Sequence, residues 1–154
     1  MTRILFICHG NICRSPMAEF VMRDLIEKAG VQDRFEVASA ATSCEELGNP
    51  VYPPARRVLE EHGLSCRGKT ARRIAAGDYE KYDWLIAMDE SNVRDMRRFF
   101  PRDPDGKIHL LMDLSDRPRS VADPWYTGDF STAWRDVQEG CCQWLKWLLD
   151  GEKA

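Results

Sequence analysis

The sequence has no apolar run long enough to cross a membrane. Its N-terminal run, Ile4 to Cys8, is too short even for the core of a secretion signal. It has no CxxC pair and only three histidines, so no familiar metal-ligand spacing is present and no metal is expected. It has no excess of basic charge: 22 Lys and Arg stand against 25 Asp and Glu, for a net charge of −3, which gives nucleic acid no reason to bind. Internal repeats and low-complexity stretches are also missing. Six cysteines without a secretory leader read as reduced thiols, which points to a cytoplasmic location and away from a disulfide framework. What remains is a chain of 154 residues, 44% hydrophobic, enough for one globular domain spanning residues 1–154.

The most informative stretch runs from Ile4 to Glu19: an apolar strand, a tight loop and a helix. Ser15 suits the N-cap of that helix and Pro16 its first position, where no amide donor is needed. The loop carries the thiol of Cys8 at one end and the guanidinium of Arg14 at the other, with five residues between. Backbone N–H groups from His9 to Arg14 can turn inward as an anion-binding nest, and the helix N-terminus adds positive potential. A phosphate dianion fits such a ring, with the Arg14 fork taking two of its oxygens. The same field favours a thiolate at Cys8, which would make it a nucleophile.

A bare C-x5-R match arises by chance. The longer string Cys8-His9-Gly10-Asn11-Ile12-Cys13-Arg14-Ser15-Pro16, set between a strand and a helix, resembles the signature loop of the low-molecular-weight protein tyrosine phosphatases. That resemblance continues in Ser39-Ala40-Ala41-Thr42-Ser43, in Met88-Asp89-Glu90-Ser91-Asn92 and in Asp123-Pro124-Trp125-Tyr126. It implies a doubly wound, four-stranded parallel sheet of order 2-1-3-4 with helices on both faces, and no cofactor.

Strands are expected over 3–7, 34–40, 83–88 and 107–112, and helices from Pro16 to Gly30, from Pro53 to His62 and along the C-terminal stripe Phe130, Trp134, Val137, Cys141, Trp144, Leu145 and Leu148. Met17 and Met22 read as core filler, and Cys141 and Cys142 as inert packing. Lys69 to Ala76, with Arg72 and Arg73, reads as a solvated helical face. Trp144 and Trp147 suggest an exposed apolar edge, hence a monomer with at most weak self-association.

An aryl or alkyl oxygen leaves phosphorus poorly without a proton, so the reaction needs an acid as well as a nucleophile. The resemblance gives that role to Asp123, on a turn stiffened by Pro124. Trp125 and Tyr126 then suit a cleft wall or, equally, core packing. Cys8, Arg14 and Asp123 are the expected catalytic residues. His9, Gly10, Asn11, Ile12, Cys13 and Ser15 form the expected cradle, Asn11 by holding a strained turn and Ser15 by hydrogen-bonding to the thiolate. The His9 side chain reads as surface-placed, and His62 and His109 as structural. Cys13 lies close enough along the loop to form a disulfide with Cys8.

The expected substrates are a phosphotyrosine-containing protein or a small aryl phosphate, with inorganic phosphate as product and neither nucleic acid nor membrane as partner. Arsenate reduction on the same loop needs extra cysteines near the third strand, and Trp84 to Arg98 has none. Relatives that hydrolyse phosphoarginine tend to place Thr at the position of Ile12. A binding module without turnover is disfavoured by the joint presence of Cys8, Arg14 and Asp123. The sequence departs from the family in one place: Glu45 and Glu46 stand where relatives tend to have an aromatic cleft wall.

Overall fold

A computed structural model describes residues 1–153. Four strands, β1 (Thr2–Cys8), β2 (Phe35–Ala41), β3 (Trp84–Ala87) and β4 (Ile108–Leu110), form one all-parallel sheet in the order β2-β1-β3-β4. This is the expected order. β1 lies in the middle because Ile4 to Cys8 is apolar at every position and can be covered on both faces.

Alternation along β1 divides the core. Ile4, Phe6 and Cys8 face one layer, built from α1 (Arg14–Lys28), α2 (Pro53–Glu61) and α6 (Phe130–Lys153). Leu5 and Ile7 face the other, where α3 (Asp78–Lys81) and α4 (Glu90–Met96) supply Tyr79 and Met96. Met17 and Met22 of α1 are fully buried in the first layer. Gly140 lets α6 close on the turn that follows β4: a Cβ there would stand 2.5 Å from Leu111 Cγ. No helix among the described residues is long and apolar enough to cross a membrane.

Four local expectations are corrected. The helix after the loop begins at Arg14, with Cys13 at the N-cap, so Ser15 and Pro16 are its second and third residues. Ser15 turns its hydroxyl inward, where it meets two buried polar groups, the Cys8 sulfur at 2.9 Å and the Asn11 side-chain amide at 2.8 Å. Lys69 to Ala76 is not helical. Thr70 bridges to Pro50 and Arg73 to Ala41, and Lys69 and Arg72 are drawn inward by Glu19 and Asp78. Trp144 is buried, its Nε1 donating to the Leu111 carbonyl at 3.0 Å, which leaves Trp147 as the half-exposed ring of that edge. Cys142 faces solvent while Cys141 is packed inside. His109 sits within β4 against Trp84 and Trp144, in keeping with a structural role.

Candidate active site

The carboxyl ends of the parallel strands converge on one cleft, as open α/β sheets require. Cys8 is the last residue of β1. Its sulfur accepts the Asn11 N–H at 3.3 Å and lies 2.9 Å from the Ser15 hydroxyl. The loop can curl this tightly because Asn11 adopts φ 60°, the left-handed region that asparagine tolerates better than most residues. Its amide is pinned from three sides. Nδ2 donates to Ser15 Oγ at 2.8 Å and to Ser39 Oγ at 2.9 Å, and Oδ1 accepts the Arg72 N–H at 3.2 Å. Ser39 in turn donates to Glu19 at 2.6 Å, and the buried Glu19 pairs with Arg23 and Lys69. Desolvation lowers the Lys69 pKa from its ordinary value, with Glu19 acting against that shift. The turn expected at Asn11 and the contact expected from Ser15 to the Cys8 sulfur are both present.

Arg14 is buried at the base of the cleft. One terminal nitrogen donates to Asp89 at 2.6 Å and to the Val121 carbonyl at 2.8 Å, and the other lies 3.4 Å from Asp123. Burial works against the Arg14 charge, but Cys8, Asp89 and Asp123 outweigh it and raise its pKa. Burial likewise tends to raise the Asp89 carboxyl. Hydrogen bonds from Ser91 and Arg14 overcome that and hold it below the ordinary carboxylate range. Asp89 also caps α4 by accepting the Asn92 N–H at 2.9 Å. The sequence reading gave it no role at the site. The available signal was its position, a carboxylate one residue past a buried strand at the ligand-facing edge.

A pH-dependent effect follows. Asp89→Asn is expected to destabilise the fold by about 1.5–3 kcal/mol at neutral pH, since a charged hydrogen bond is lost and Arg14 stays buried. Because the folded carboxyl is depressed, the wild-type advantage is fully present above the ordinary carboxylate range, and it disappears as pH falls through the lower folded value. Urea unfolding of both proteins across the acid limb checks this; a constant difference at every pH would contradict it.

Asp123 stands at the N-cap of a single turn, α5 (Pro124–Thr127), and accepts the Trp125 N–H at 3.0 Å. Trp125 and Tyr126 are 52% and 84% exposed, so neither is a core residue. They line the cleft together with Glu45 and Glu46. His9 Nε2 lies 3.0 Å from Glu45 Oε2 on the exposed rim. The Glu46 side chain lies over Gly10, where a Cβ would come within 3.4 Å of its Cγ. Ile12 and Cys13 line the wall below, and burial beside the Cys8 sulfur pushes the Cys13 thiol far up. The expected catalytic and cradle residues, with Glu45, Trp125 and Tyr126, border the cleft or brace its loop.

The loop, its guanidinium and the carboxylate opposite it are an arrangement built to surround a tetrahedral anion. Comparison with known proteins agrees with the fold. Residues 3–153 match the family model described as low molecular weight phosphotyrosine protein phosphatase. The chain is 35% identical over 147 residues to the low molecular weight protein-tyrosine-phosphatase YfkJ of Bacillus subtilis, covering 94% of each chain. It is 38% identical over 149 residues to low molecular weight phosphotyrosine protein phosphatase 1 of Drosophila melanogaster, covering 94% of this chain and 95% of that one. The crystal structure of YfkJ superposes with a TM-score of 0.93, covering 98% of this chain and 96% of that one. That of DARP, a drosophila arginine phosphatase, superposes with a TM-score of 0.86 at 31% identity, covering 96% and 98%. This chain belongs to the low molecular weight phosphotyrosine protein phosphatase family.

Proposed function

We propose that the protein hydrolyses phosphotyrosine and related aryl phosphate monoesters through a phosphocysteine intermediate. The observation that carries this reading is the joint placement of the Cys8 sulfur, the buried Arg14 fork and the Asp123 carboxylate around one cleft. The Cys8 thiolate attacks phosphorus in line; the S–P bond forms as the ester P–O bond breaks. Asp123 gives its proton to the departing oxygen. Arg14 and the loop N–H groups stabilise the charge on the equatorial oxygens. Asp123, now a carboxylate, takes a proton from water as that water attacks phosphorus. The S–P bond then breaks, releasing inorganic phosphate and restoring the thiolate. No metal takes part in these steps.

Glu45 and Glu46 set the preference. A carboxylate cannot stack on a phenyl ring as an aromatic wall does, and it repels an incoming dianion. A basic residue beside the phosphotyrosine offsets that repulsion, while Trp125 supplies the aromatic contact. The rim is exposed, so the gain is modest: kcat/KM is expected to favour basic-flanked over acidic-flanked phosphotyrosine peptides by about fivefold at low salt, less at high salt. One assay with EDTA present measures both points. Absence of turnover on every aryl phosphate would overturn the activity. Equal rates on the two peptides, with no drop in KM for p-nitrophenyl phosphate in Glu45→Trp, would remove these residues from the binding cleft.

A further inference from the structure

Tyr52 stands between the two loops that the reaction must bring together. Its backbone N–H donates to the Ile12 carbonyl at 2.9 Å, which ties its main chain to the phosphate loop. Its ring packs against the buried cluster of Ile12, Cys13 and Ala71. The same ring meets the indole of Trp125, with centroids 4.8 Å apart and planes at 54°, and lies 6.0 Å from the Phe130 ring. The backbone N–H of Trp125 donates to the Asp123 carboxylate at 3.0 Å. The turn that carries Asp123 is only four residues long; Pro124 is buried, but its two aromatic side chains are more than half exposed, so their packing has few sources. A continuous path of contact therefore runs from Ile12 through Tyr52 and Trp125 to Asp123.

We propose that Tyr52 is a positioning residue, which sets the reach of the Asp123 carboxyl over the phosphate loop by docking the Trp125 turn. The proposal rests on the reading of Asp123 as proton donor. It uses the ring and not the phenol hydroxyl. Without the ring, Asp123 keeps its chemistry but loses its fixed distance to the leaving oxygen, and proton transfer is sensitive to displacements of an ångström. In the first step the loss then falls on substrates that need the proton.

The test compares phenyl phosphate, whose leaving group is basic, with 2,4-dinitrophenyl phosphate, whose leaving group departs unaided. Tyr52→Ala is expected to lower the single-turnover rate of phenol release, which reads the first step alone, about tenfold for phenyl phosphate and less than about twofold for the dinitrophenyl ester. Tyr52→Phe is expected to restore wild-type behaviour. Tyr52→Leu keeps apolar volume against Ile12, guarding the fold, and is expected to show the same leaving-group dependence as the alanine variant. In an Asp123→Asn background, Tyr52→Ala is expected to cost nothing further, because the group it positions is gone. Equal losses on both esters, or full additivity with Asp123→Asn, would overturn the proposal and leave Tyr52 a packing residue. If Asp123→Asn itself shows no leaving-group dependence, the acid assignment fails and the Tyr52 role falls with it. If Asp123→Asn shows the dependence and Tyr52→Ala does not, the Tyr52 role alone fails.

Discussion

Cys8→Ser is expected to reduce turnover of phosphotyrosine peptides by on the order of 10⁴-fold or more, while leaving the fold and inorganic phosphate affinity close to wild type. A serine hydroxyl is not ionised at neutral pH without a base to take its proton. The one histidine in the phosphate loop, His9, is engaged with Glu45 on the exposed rim. In the proposed reaction the loop N–H donors and Arg14 bind the phosphate, and the substitution removes none of them. The smaller hydroxyl still fits between the Asn11 N–H and the Ser15 hydroxyl, so the loop should stay closed. Thermal unfolding and phosphate titration calorimetry check the intact half of this expectation, and single-turnover kinetics check the lost half. Residual hydrolysis within tenfold of wild type would remove Cys8 as nucleophile.

Asp123→Asn is expected to lower the rate of the first step, read as phenol release in a single turnover, about 10²- to 10³-fold for phenyl phosphate and far less for 2,4-dinitrophenyl phosphate. Asparagine keeps the shape and can still accept the Trp125 N–H, so the turn should survive and the deficit is chemical. A second signature follows from the two-step scheme. With the dinitrophenyl ester the first step needs no acid, but the second has lost its base. The variant should therefore release a rapid burst of phenolate, equal to the enzyme concentration, before slow turnover. A loss that is the same for every leaving group, with no burst, would rule out Asp123 as the proton carrier.

How much of this was legible in the sequence depends on how local each feature is. The strand, loop and first helix could be read because the signals lie side by side: an apolar run, Asn11 where a left-handed turn is needed, and Arg14 at the helix entry. The sheet order came from resemblance. No periodicity in the chain states that β1 pairs with β3. Ser15 was misplaced because cap chemistry is a local preference, and the buried thiol seven positions earlier in the chain and the Asn11 side-chain amide outcompeted it. Lys69 and Arg72 looked like solvent-facing charges because Glu19 and Asp78, which pull them in, give no sign of it in that stretch of sequence. Asp89 escaped for the same reason, since it meets Arg14 across 75 positions of chain.

The left-handed Asn11 has a consequence for where the motif ends. The backbone there is costly for any side chain, by roughly 1 kcal/mol or more. The groups that compensate it, Ser39 and the Arg72 N–H, come from 28 and 61 positions away. An excised nine-residue peptide carrying the same letters would have no such partners and would not hold the ring open. The contiguous string is a label for the site and not the site itself. Transplanting it to another strand–helix junction would transfer the thiol and the guanidinium but not the geometry, unless a serine and a free backbone N–H already waited on the neighbouring chain. A graft that carries Ser39 and the segment around Arg72 along with the loop is the smallest unit with a physical reason to work.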